Sequence, residues 1–328
     1  MWPFLPSLKL IRYLLVWKVN NPLIRVPRFL APELSLVLGT VIANRLPTRE
    51  AGSWHKTLTP WHERTGTKSA KQTWPPSSPW PLEAVLLVYP GKLTYGKEEL
   101  LLWELKLFGK NADHDFFLET ILPAMEEVGY ASEHPWHRHN SLWGHFDIYG
   151  MYVARGTRWE PVVKEGKLDL RYRPNPNQWA EKLDWVQAHP RRLNRLTWVT
   201  PFDLGEHSSD EEGLAAETAP GDHLLPSILE ALVARLNGLI PDRRKVAGDL
   251  LDLWPSEEQA YLQRALEEAR QTPLRSEHLQ AVSSKWPGRW QGTHVFRSIP
   301  SLLIPYFQLA SIVHVGRHTH FGCGTFAL

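Results

Sequence analysis

The sequence predicts an α+β fold made of two ferredoxin-like (RRM-like) βαββαβ domains in tandem, covering residues 1–156 and 157–328. In the first half, strand-forming apolar runs and helical segments follow one another in the order β-α-β-β-α-β. The second half contains the same kinds of segment in a less regular order. Of the 328 residues, 43% are hydrophobic and 22% are charged, as in an average globular chain. This composition excludes disordered, collagen-like and coiled-coil proteins.

The first strand and the first helix have clear boundaries in the sequence. Residues 8–19 are rich in β-branched, aromatic and aliphatic side chains, which predicts a strand. Pro32 suits the first turn of a helix, Glu33 complements the helix dipole, and Pro47 ends the helix. Residues 48–81 are polar and contain a cluster of prolines, which predicts a long loop.

The rest of the first half predicts three strands and a second helix. The helix should run from Asp113 to Val128, with Asp113 as its N-cap and Gly129 closing it in the left-handed conformation. Pro123 falls inside this helix and predicts a kink or a break. Apolar runs predict the strands, at residues 82–89, 99–109 and 145–155.

The second half has two helix starts that can be recognised from capping boxes. Ser227 and Glu230 form one such pattern before an apolar helical run. Ser256 and Gln259 form the other, and this helix should end before Pro273. The remaining elements are a strand at residues 192–204, an apolar segment at 299–315, a glycine-rich turn and a last strand at 324–328.

The cysteine content and the N-terminus indicate the cellular compartment. A single cysteine, Cys323, excludes a disulfide framework and a cysteine-only zinc site, and it favours a reducing compartment. The apolar N-terminal run is broken by Lys9, Arg12 and Lys18, and no small-residue cleavage site follows it. No stretch is long and apolar enough for a membrane span. We therefore expect a cytoplasmic protein that does not enter a membrane.

Charge is distributed unevenly along the chain. The formal net charge is +2, but residues 205–222 contain six acidic and no basic side chains, so the rest of the chain carries +8. A basic body with an acidic surface loop permits an anionic partner. The 16 tryptophans fit either a large core or a surface on which bases stack.

The glycines near the C-terminus form a spaced motif. Gly316 is followed, after five residues, by Gly322-Cys323-Gly324, and His314 stands two positions before Gly316. This pattern resembles the C-terminal glycine-rich loop of the CRISPR repeat-processing endoribonucleases of the RAMP superfamily, with His314 in place of the first glycine. Other stretches resemble segments of that family in the same order: ELSLVLGTVIANRL, LLWELKLFGKNADHDFFLETILPAMEEVG, TWVTPFDL and LLPSILEALVARLNGL.

The resemblance implies a metal-independent endoribonuclease that cleaves CRISPR precursor RNA within each repeat. The 2′-hydroxyl would attack the adjacent phosphate and leave a 2′,3′-cyclic phosphate, with no cofactor and no metal. The expected partners are repeat RNA in hairpin form and other CRISPR effector subunits. A second reading is a non-catalytic RNA-binding RAMP subunit that holds one end of the guide RNA. A third is an unrelated ferredoxin-like structural protein in which the glycines only form a tight hairpin.

Such a reaction needs groups that move protons and cations that face the phosphate. Histidine suits proton transfer near neutral pH, and the arginine fork binds two phosphate oxygens. Since relatives often use a histidine on or after the first helix, the resemblance selects His55 as general acid/base, with Arg28 and Arg45 as phosphate clamps. Two alternatives stay open: a site dominated by arginines, and a solvated loop in which His55 and His62 have no role.

The candidate RNA contacts lie in the glycine-rich loop and in two basic clusters. Glycines let a phosphate approach the backbone closely, and nearby basic side chains add donors. The basic clusters could also be ordinary solvated surface. Among the histidines at residues 134–145, no Asp or Cys completes a tight set of ligands, so a surface loop is favoured over a metal site. The candidate residues are His314, Gly316, Arg317, His318, His320, Gly322, Gly324, Arg192, Arg195, Arg243 and Arg244.

Overall fold

The structure is a computed structural model that describes residues 5–66, 78–130, 144–164, 166–181, 183, 193–205, 221–240, 256–283 and 286–328. The chain divides into two compact units. The N-terminal unit consists of Leu8–Leu183, and the C-terminal unit consists of Asp184–Leu328 together with Met1–Ser7. Arg192, Arg243 and Arg244, three of the candidate RNA contacts, lie outside the described residues.

The units therefore divide at residues 183/184 and not at 156/157, where the sequence places the boundary. Two buried hydrogen bonds explain the difference. The Gln178 side-chain amide donates to the Ala154 carbonyl at 3.1 Å, and Trp179 Nε1 donates to the Leu8 carbonyl at 3.2 Å. These contacts hold the segment after residue 156 against the first and last strands of the predicted βαββαβ unit.

The N-terminal unit contains strands β1–β8 and helices α1–α4. The strands are β1 Leu10–Val19, β2 Leu23–Arg25, β3 Ala84–Val88, β4 Thr94–Gly96, β5 Leu100–Phe108, β6 Phe146–Arg155, β7 Arg158–Lys164 and β8 Lys167–Leu168. The helices are α1 Ala31–Arg45, α2 Thr48–Gly66, α3 His114–Phe116 and α4 Leu122–Tyr130. The structure confirms the helix predicted at residues 32–47 and the strands predicted at residues 8–19, 82–89, 99–109 and 145–155. Strands β2, β4, β7 and β8 are additional.

The main sheet of this unit has the strand order β3-β5-β1-β6-β7-β8, and every neighbouring pair is antiparallel. Alternate side chains of β1 point to the helical layer, since side chains on a strand alternate between its faces. Tyr13 stacks on Phe117 with 3.9 Å between ring centroids, and Trp17 meets Trp103 edge to face at 5.2 Å. The first four strands in this order are those that a βαββαβ unit brings together.

The loop predicted from residue 48 is wrong for residues 48–66, which form α2. A buried apolar stripe explains the helix, because Ala51, Trp54, Leu58 and Trp61 recur at helical spacing. Pro60 lies inside α2 and removes one backbone donor, yet the buried stripe continues past it. Residues 67–77, the middle of the predicted loop, lie outside the described part of the chain.

The helix predicted from Asp113 to Val128 is confirmed in outline and corrected at its end. The Asp113 carboxylate accepts hydrogen bonds from two backbone amides, as an N-cap does. A π-helical turn, Phe117–Ile121, lies between α3 and α4, and Pro123 follows it inside α4, so the helix is locally distorted but not broken. Gly129 does not close the helix in a left-handed conformation: α4 continues through it to residue 130. A Cβ at Gly129 would lie 2.5 Å from the Phe146 carbonyl oxygen, so the glycine permits close helix–strand packing.

The C-terminal unit contains a second antiparallel sheet. Its strands are β9 Arg195–Trp198, β10 Leu274–Ala281, β11 Trp290–Phe296 and β12 Phe326–Ala327, in the order β10-β11-β9-β12. Its helices are α5 Leu224–Leu239, α6 Ser256–Gln271 and α7 Ile304–Val313. The helix expected at Ser256 is confirmed. Ser227 does not cap α5, which begins three residues earlier, because its hydroxyl donates to the His223 carbonyl at 2.9 Å.

A buried charge cluster lies on the first sheet. Glu104 and Lys106 on β5 are 1% and 2% exposed. The Arg12 Nε group donates to Glu104 Oε1 at 2.6 Å, and Lys106 Nζ lies 3.9 Å from Glu104 Oε2. Burial alone would raise the pKa of Glu104, but Arg12 and Lys106 outweigh that effect and lower it. The carboxylate therefore stays charged and holds two cations on adjacent strands.

The prediction of a mixed α/β chain built on antiparallel sheets is confirmed. No helix among the described residues combines the length and the apolar character that a membrane crossing requires.

Replacing Glu104 by leucine should destabilise the N-terminal unit by about 3–5 kcal/mol, because Arg12 and Lys106 would keep buried charges without their anion. Urea unfolding followed by circular dichroism measures this loss. Arg173→Ala is the matched control, since it removes an exposed ion pair with Asp115 at 2.9 Å. The control variant should lower the free energy of unfolding by less than ~1 kcal/mol. Equal urea midpoints for the two variants would contradict the role of Glu104 as the anion that stabilises Arg12 and Lys106.

Candidate functional site

The candidate residues form two groups, one in each unit. The first lies on α1 and α2 of the N-terminal unit, which pack against each other. The buried stripe of α2 fixes which side of the helix faces the protein. His55 lies outside this stripe and is exposed, whereas His62 is half-buried. The imidazole predicted for proton transfer is thus presented on a helix and not on a loop.

The two histidines of α2 differ in their surroundings. His62 Nε2 lies 3.2 Å from the Thr40 hydroxyl oxygen on α1. Burial, and then the neighbouring His55, lower the pKa of His62 below its usual value. The lowered pKa favours the neutral form of the His62 imidazole, which is the form that can accept a proton.

The two predicted phosphate clamps lie near opposite ends of α1. Arg28 is exposed and precedes α1. Arg45, the last residue of α1, forms an ion pair with Glu127, its Nη1 lying 2.9 Å from a carboxylate oxygen. A phosphate at Arg45 would therefore compete with this exposed carboxylate.

The second group is the glycine-rich loop, residues 314–324, whose course depends on close backbone approaches. Gly316, Gly322 and Gly324 all have positive φ angles. A Cβ at Gly316 would lie 2.3 Å from the Asp203 carbonyl oxygen, and one at Gly324 would lie 1.8 Å from the Val315 carbonyl oxygen. Only glycine fits such positions, so the motif spacing is explained by packing.

Five backbone amides of the loop donate hydrogen bonds inside the protein. The amides of Val315, Arg317, Phe321, Gly322 and Gly324 donate to backbone carbonyls at 2.7–3.1 Å. The Thr200 hydroxyl donates to the Gly322 carbonyl at 2.7 Å. The expectation that the glycines aim amides at a phosphate is thus wrong for Gly322 and Gly324, which are buried. Their role is to shape the loop.

Two histidines of the loop, His314 and His320, also contact other groups of the protein. His314 is 0% exposed, and its Nδ1 lies 3.1 and 3.0 Å from the carbonyl oxygens of Gly322 and Cys323. His320 packs on the Phe321 ring at 4.2 Å. Burial, followed by the charges of His318 and Arg235, lowers the pKa of His320 to about 3. His320 is therefore neutral at pH 7 and does not add a positive charge to the loop.

The exposed residue of the loop is Arg317, which lies in a bend beside the half-buried Gly316. The Arg317 side chain is 67% exposed, and its Nη1 lies 3.9 Å from an Asp203 carboxylate oxygen. The other described cation among the candidates, Arg195, is exposed on β9. Of the predicted RNA contacts, Arg317 and Arg195 are thus the ones that present a charge to solvent in the described chain.

A surface pocket of about 310 Å³ lies beside this bend. One wall is a face of α5 that carries small side chains, and the other is the loop. The Arg235 Nε group donates to the Val313 carbonyl at the end of α7, at 3.3 Å. Sequence reasoning missed Arg235, although the small residues recur at helical spacing. The lining residues are Leu204, Ala231, Ala234, Arg235, Gly238 and Gly316.

No protein-family model matches the sequence. No curated protein matches it either. Within the described residues, no group of three or more histidine, cysteine or acidic side chains is arranged to hold a metal ion.

Solved structures, in contrast, resemble the whole chain. It aligns over 97% of its length with a chain of a partial Cas6-RT-Cas1–Cas2 complex, at a TM-score of 0.50 and 12% identity, and covers 45% of that chain. A Cas6-RT-Cas1–Cas2 complex gives the same TM-score and identity, with 28% of that chain covered. A Cas6 product complex aligns over 97% of this chain and 99% of its own, at a TM-score of 0.46 and 15% identity. The chain has a Cas6-like fold, and it spans less than half of the first two chains.

Replacing Gly324 by alanine should destabilise the C-terminal unit by at least ~2 kcal/mol, since the positive φ and the Val315 carbonyl both exclude a Cβ. The control is Gly52→Ala on α2, where a Cβ would meet nothing within 4 Å. The control should raise stability by roughly 0.5–1 kcal/mol. Thermal or urea unfolding separates the two, and a neutral Gly324→Ala variant would show that the loop is not held as described.

His294, which is buried, and His320, which is half-buried, should make the stability of the C-terminal unit depend on pH. His294 on β11 is 0% exposed, and burial lowers its pKa to about 4; the pKa of His320 is lowered to about 3. Below about pH 6.5 the unfolded chain binds protons that these folded histidines do not bind, so stability falls as the pH drops. For His294 the loss should approach roughly 3 kcal/mol near pH 4.

The measurement is urea unfolding of the protein and of His294→Leu between pH 7.5 and 4.5. The stability of the variant should fall less steeply with acid, because one of the two groups has been removed. Parallel pH curves for the two proteins would contradict the assigned role of His294.

Proposed function

We propose that the chain is a metal-independent endoribonuclease that cleaves CRISPR precursor RNA within the repeat and releases guide RNA. The observation that carries this proposal is the Cas6-like fold over 97% of the chain. The histidines of α2 and the exposed arginine of the glycine-rich loop support it. In this proposal the two sheets are two ferredoxin-like domains, as the matching strand orders of both units suggest.

The chemistry follows from the side chains on α1 and α2. His55 would serve as general acid/base while the 2′-oxygen attacks phosphorus and the 5′-oxygen leaves. The products would be a 2′,3′-cyclic phosphate and a 5′-hydroxyl. Arg28 would face the phosphate, and Arg45 would join it after exchanging Glu127 for a phosphate oxygen.

The RNA would be held by the exposed bend of the C-terminal unit. Arg317 and Arg195 offer charges for the phosphate backbone, and the pocket beside Gly316 offers room for an unstacked nucleotide. We propose the repeat hairpin as substrate and the cytoplasm as its location. Since the neighbouring structures contain Cas1 and Cas2, other CRISPR proteins are the partners we propose.

A second candidate function is an RNA-binding subunit without catalysis. The Arg45–Glu127 ion pair favours it, because it occupies one of the two proposed clamps. Both functions use the same exposed bend of the loop. They differ in whether a side chain on α2 transfers a proton.

Purified protein should cut repeat RNA in EDTA, and a 2′-deoxy substitution at the cut site should abolish cutting, because the nucleophile is then missing. His55→Ala should lower the single-turnover rate at least ~10²-fold and leave RNA binding nearly intact. His278→Ala, which removes an exposed histidine on β10, is the matched control and should cut like the unmodified protein.

Three outcomes decide between the functions. Tight binding without cutting would replace the enzyme by the RNA-binding subunit. If the protein neither binds nor cuts any repeat hairpin, both functions are rejected. Cutting that is unaffected in His55→Ala would remove His55 from the site.

A further inference from the structure

The main sheet of the N-terminal unit has a second face, opposite its helical layer. Tyr13 on β1 stacks on Phe117 in the helical layer, and neighbouring side chains on a strand point to opposite faces. Arg12 and Leu14 therefore lie on the second face. Leu14 pairs with Tyr152 on β6, and side chains of paired residues share a face. Tyr152 thus lies on the second face as well.

Trp159 joins this group from β7. It pairs with Ala154, which lies two positions after Tyr152 and so on the same face. Cζ of Arg12 lies 5.3 Å from the centroid of the Trp159 ring. A guanidinium at this distance from an aromatic ring is held by cation–π attraction. The ring of Trp159 therefore restricts where the end of the Arg12 side chain can lie.

Arg12 is fixed through its Nε atom, which leaves the two Nη groups for a ligand. The Nε group donates to Glu104 Oε1 at 2.6 Å, and Glu104 is 1% exposed. Within the described residues neither Nη group has a hydrogen-bond partner, and 15% of the Arg12 side chain is exposed. A guanidinium held at its base by a buried carboxylate presents its remaining donors in a fixed direction. Such a fork suits two oxygens of one phosphate.

The ring of Tyr152 passes over the backbone of Gly150 on the same strand. A Cβ at Gly150 would lie 3.2 Å from Cε2 and 3.5 Å from the hydroxyl oxygen of Tyr152. The glycine thus leaves room for the ring to lie along the sheet, and the ring stays half-buried. An aromatic ring that lies along a surface in this way offers a platform on which a base can stack.

A row of residues beside this group stays partly exposed. Leu102, Val16, Gly150 and Lys164 are paired with one another across four strands, on the face that carries Tyr152. Leu102 is 39% exposed, and Lys164 is exposed and forms no ion pair within the described residues. A face that combines aromatic rings with cations suits a nucleotide chain, whose bases stack and whose phosphates are anionic. The cations disfavour an apolar protein segment as the occupant.

We propose that this second face of the main sheet binds single-stranded RNA next to the repeat hairpin, with a phosphate on the Nη groups of Arg12 and a base on the ring of Tyr152. Diagonal positions on neighbouring strands lie about 7–8 Å apart, so one nucleotide spans both side chains. Trp159 is a positioning residue, since it acts through Arg12. The inference rests on the proposed function, which supplies the RNA, and it adds a contact in the N-terminal unit.

Fluorescence anisotropy with a short labelled oligouridine, which forms no hairpin, tests the surface without any cleavage. Tyr152→Leu should weaken binding at least ~5-fold and leave the salt slope unchanged, because it removes stacking and no charge. Arg12→Gln should weaken binding and lower the slope by about one, because it removes a phosphate contact. The matched controls are Tyr261→Leu, a 54% exposed ring on α6, and Arg173→Gln, and both should bind like the unmodified protein.

Two further measurements keep the test decisive if Arg12→Gln does not fold. Arg12→Lys keeps a cation for Glu104 but lacks the Nη fork, so it should bind more weakly with an unchanged salt slope. In the unmodified protein, ultraviolet crosslinking of 4-thiouridine RNA followed by mass spectrometry should label a peptide that contains Tyr152 or Trp159. Crosslinks confined to other peptides would overturn the proposal.

The outcomes separate this inference from the proposed function. If the protein cuts repeat RNA while Tyr152→Leu and Arg12→Lys bind oligouridine like the unmodified protein, the inference fails alone. If the protein cuts no repeat RNA but both variants bind oligouridine more weakly, the proposed enzyme fails and the RNA surface stands. If the protein binds a polyglutamate peptide and no oligouridine, the surface fits an acidic protein and the inference is overturned.

Discussion

The close crossing of backbone at Gly316 and Gly324 is the constraint on which the C-terminal unit depends. At these positions the carbonyl oxygens of Asp203 and Val315 occupy the space of a side chain. The crossing leads the chain from α7 into β12 and buries His314 beneath the loop. It also leaves one short bend exposed, with Arg317 at its tip. The glycines therefore act through shape: five amides of the loop donate to backbone carbonyls, and the Arg317 side chain faces solvent.

In the N-terminal unit the corresponding constraint is the packing of α2. Its aromatic stripe, which includes Trp54 and Trp61, is buried, and Trp80 fills the space beside Gly39 on α1. This packing brings Thr40 and His62 together from two helices. His62 is half-buried and His55 is exposed on the same helix, and burial disfavours the protonated form of His62. In the proposed function, the histidines of α2 supply the proton transfer.

Much of the architecture could be predicted from the sequence, because long apolar runs and helix-ending prolines are local signals. The helix at residues 48–66 was missed since its polar residues and Pro60 conceal an apolar stripe with helical period. Strands β10 and β11 were missed because most of their side chains are exposed or half-exposed, which weakens the apolar signal. In the candidate site, the glycine spacing predicted a tightly bent loop but did not reveal that several of its amides donate to backbone carbonyls. The contact between Thr40 and His62 joins residues 22 positions apart on separate helices, so no local pattern reveals it.

The central claim is that the exposed bend of the glycine-rich loop holds the backbone of repeat RNA. The most direct test is the salt dependence of repeat-RNA binding by the unmodified protein and by Arg317→Ala, with Arg264→Ala, an exposed cation on α6, as the charge-matched control. Each phosphate contact contributes about one to the slope of log affinity against log salt. We predict that Arg317→Ala lowers the slope by about one while the control leaves it unchanged. Equal slopes for all three proteins, or affinity that does not change with salt, would contradict the account.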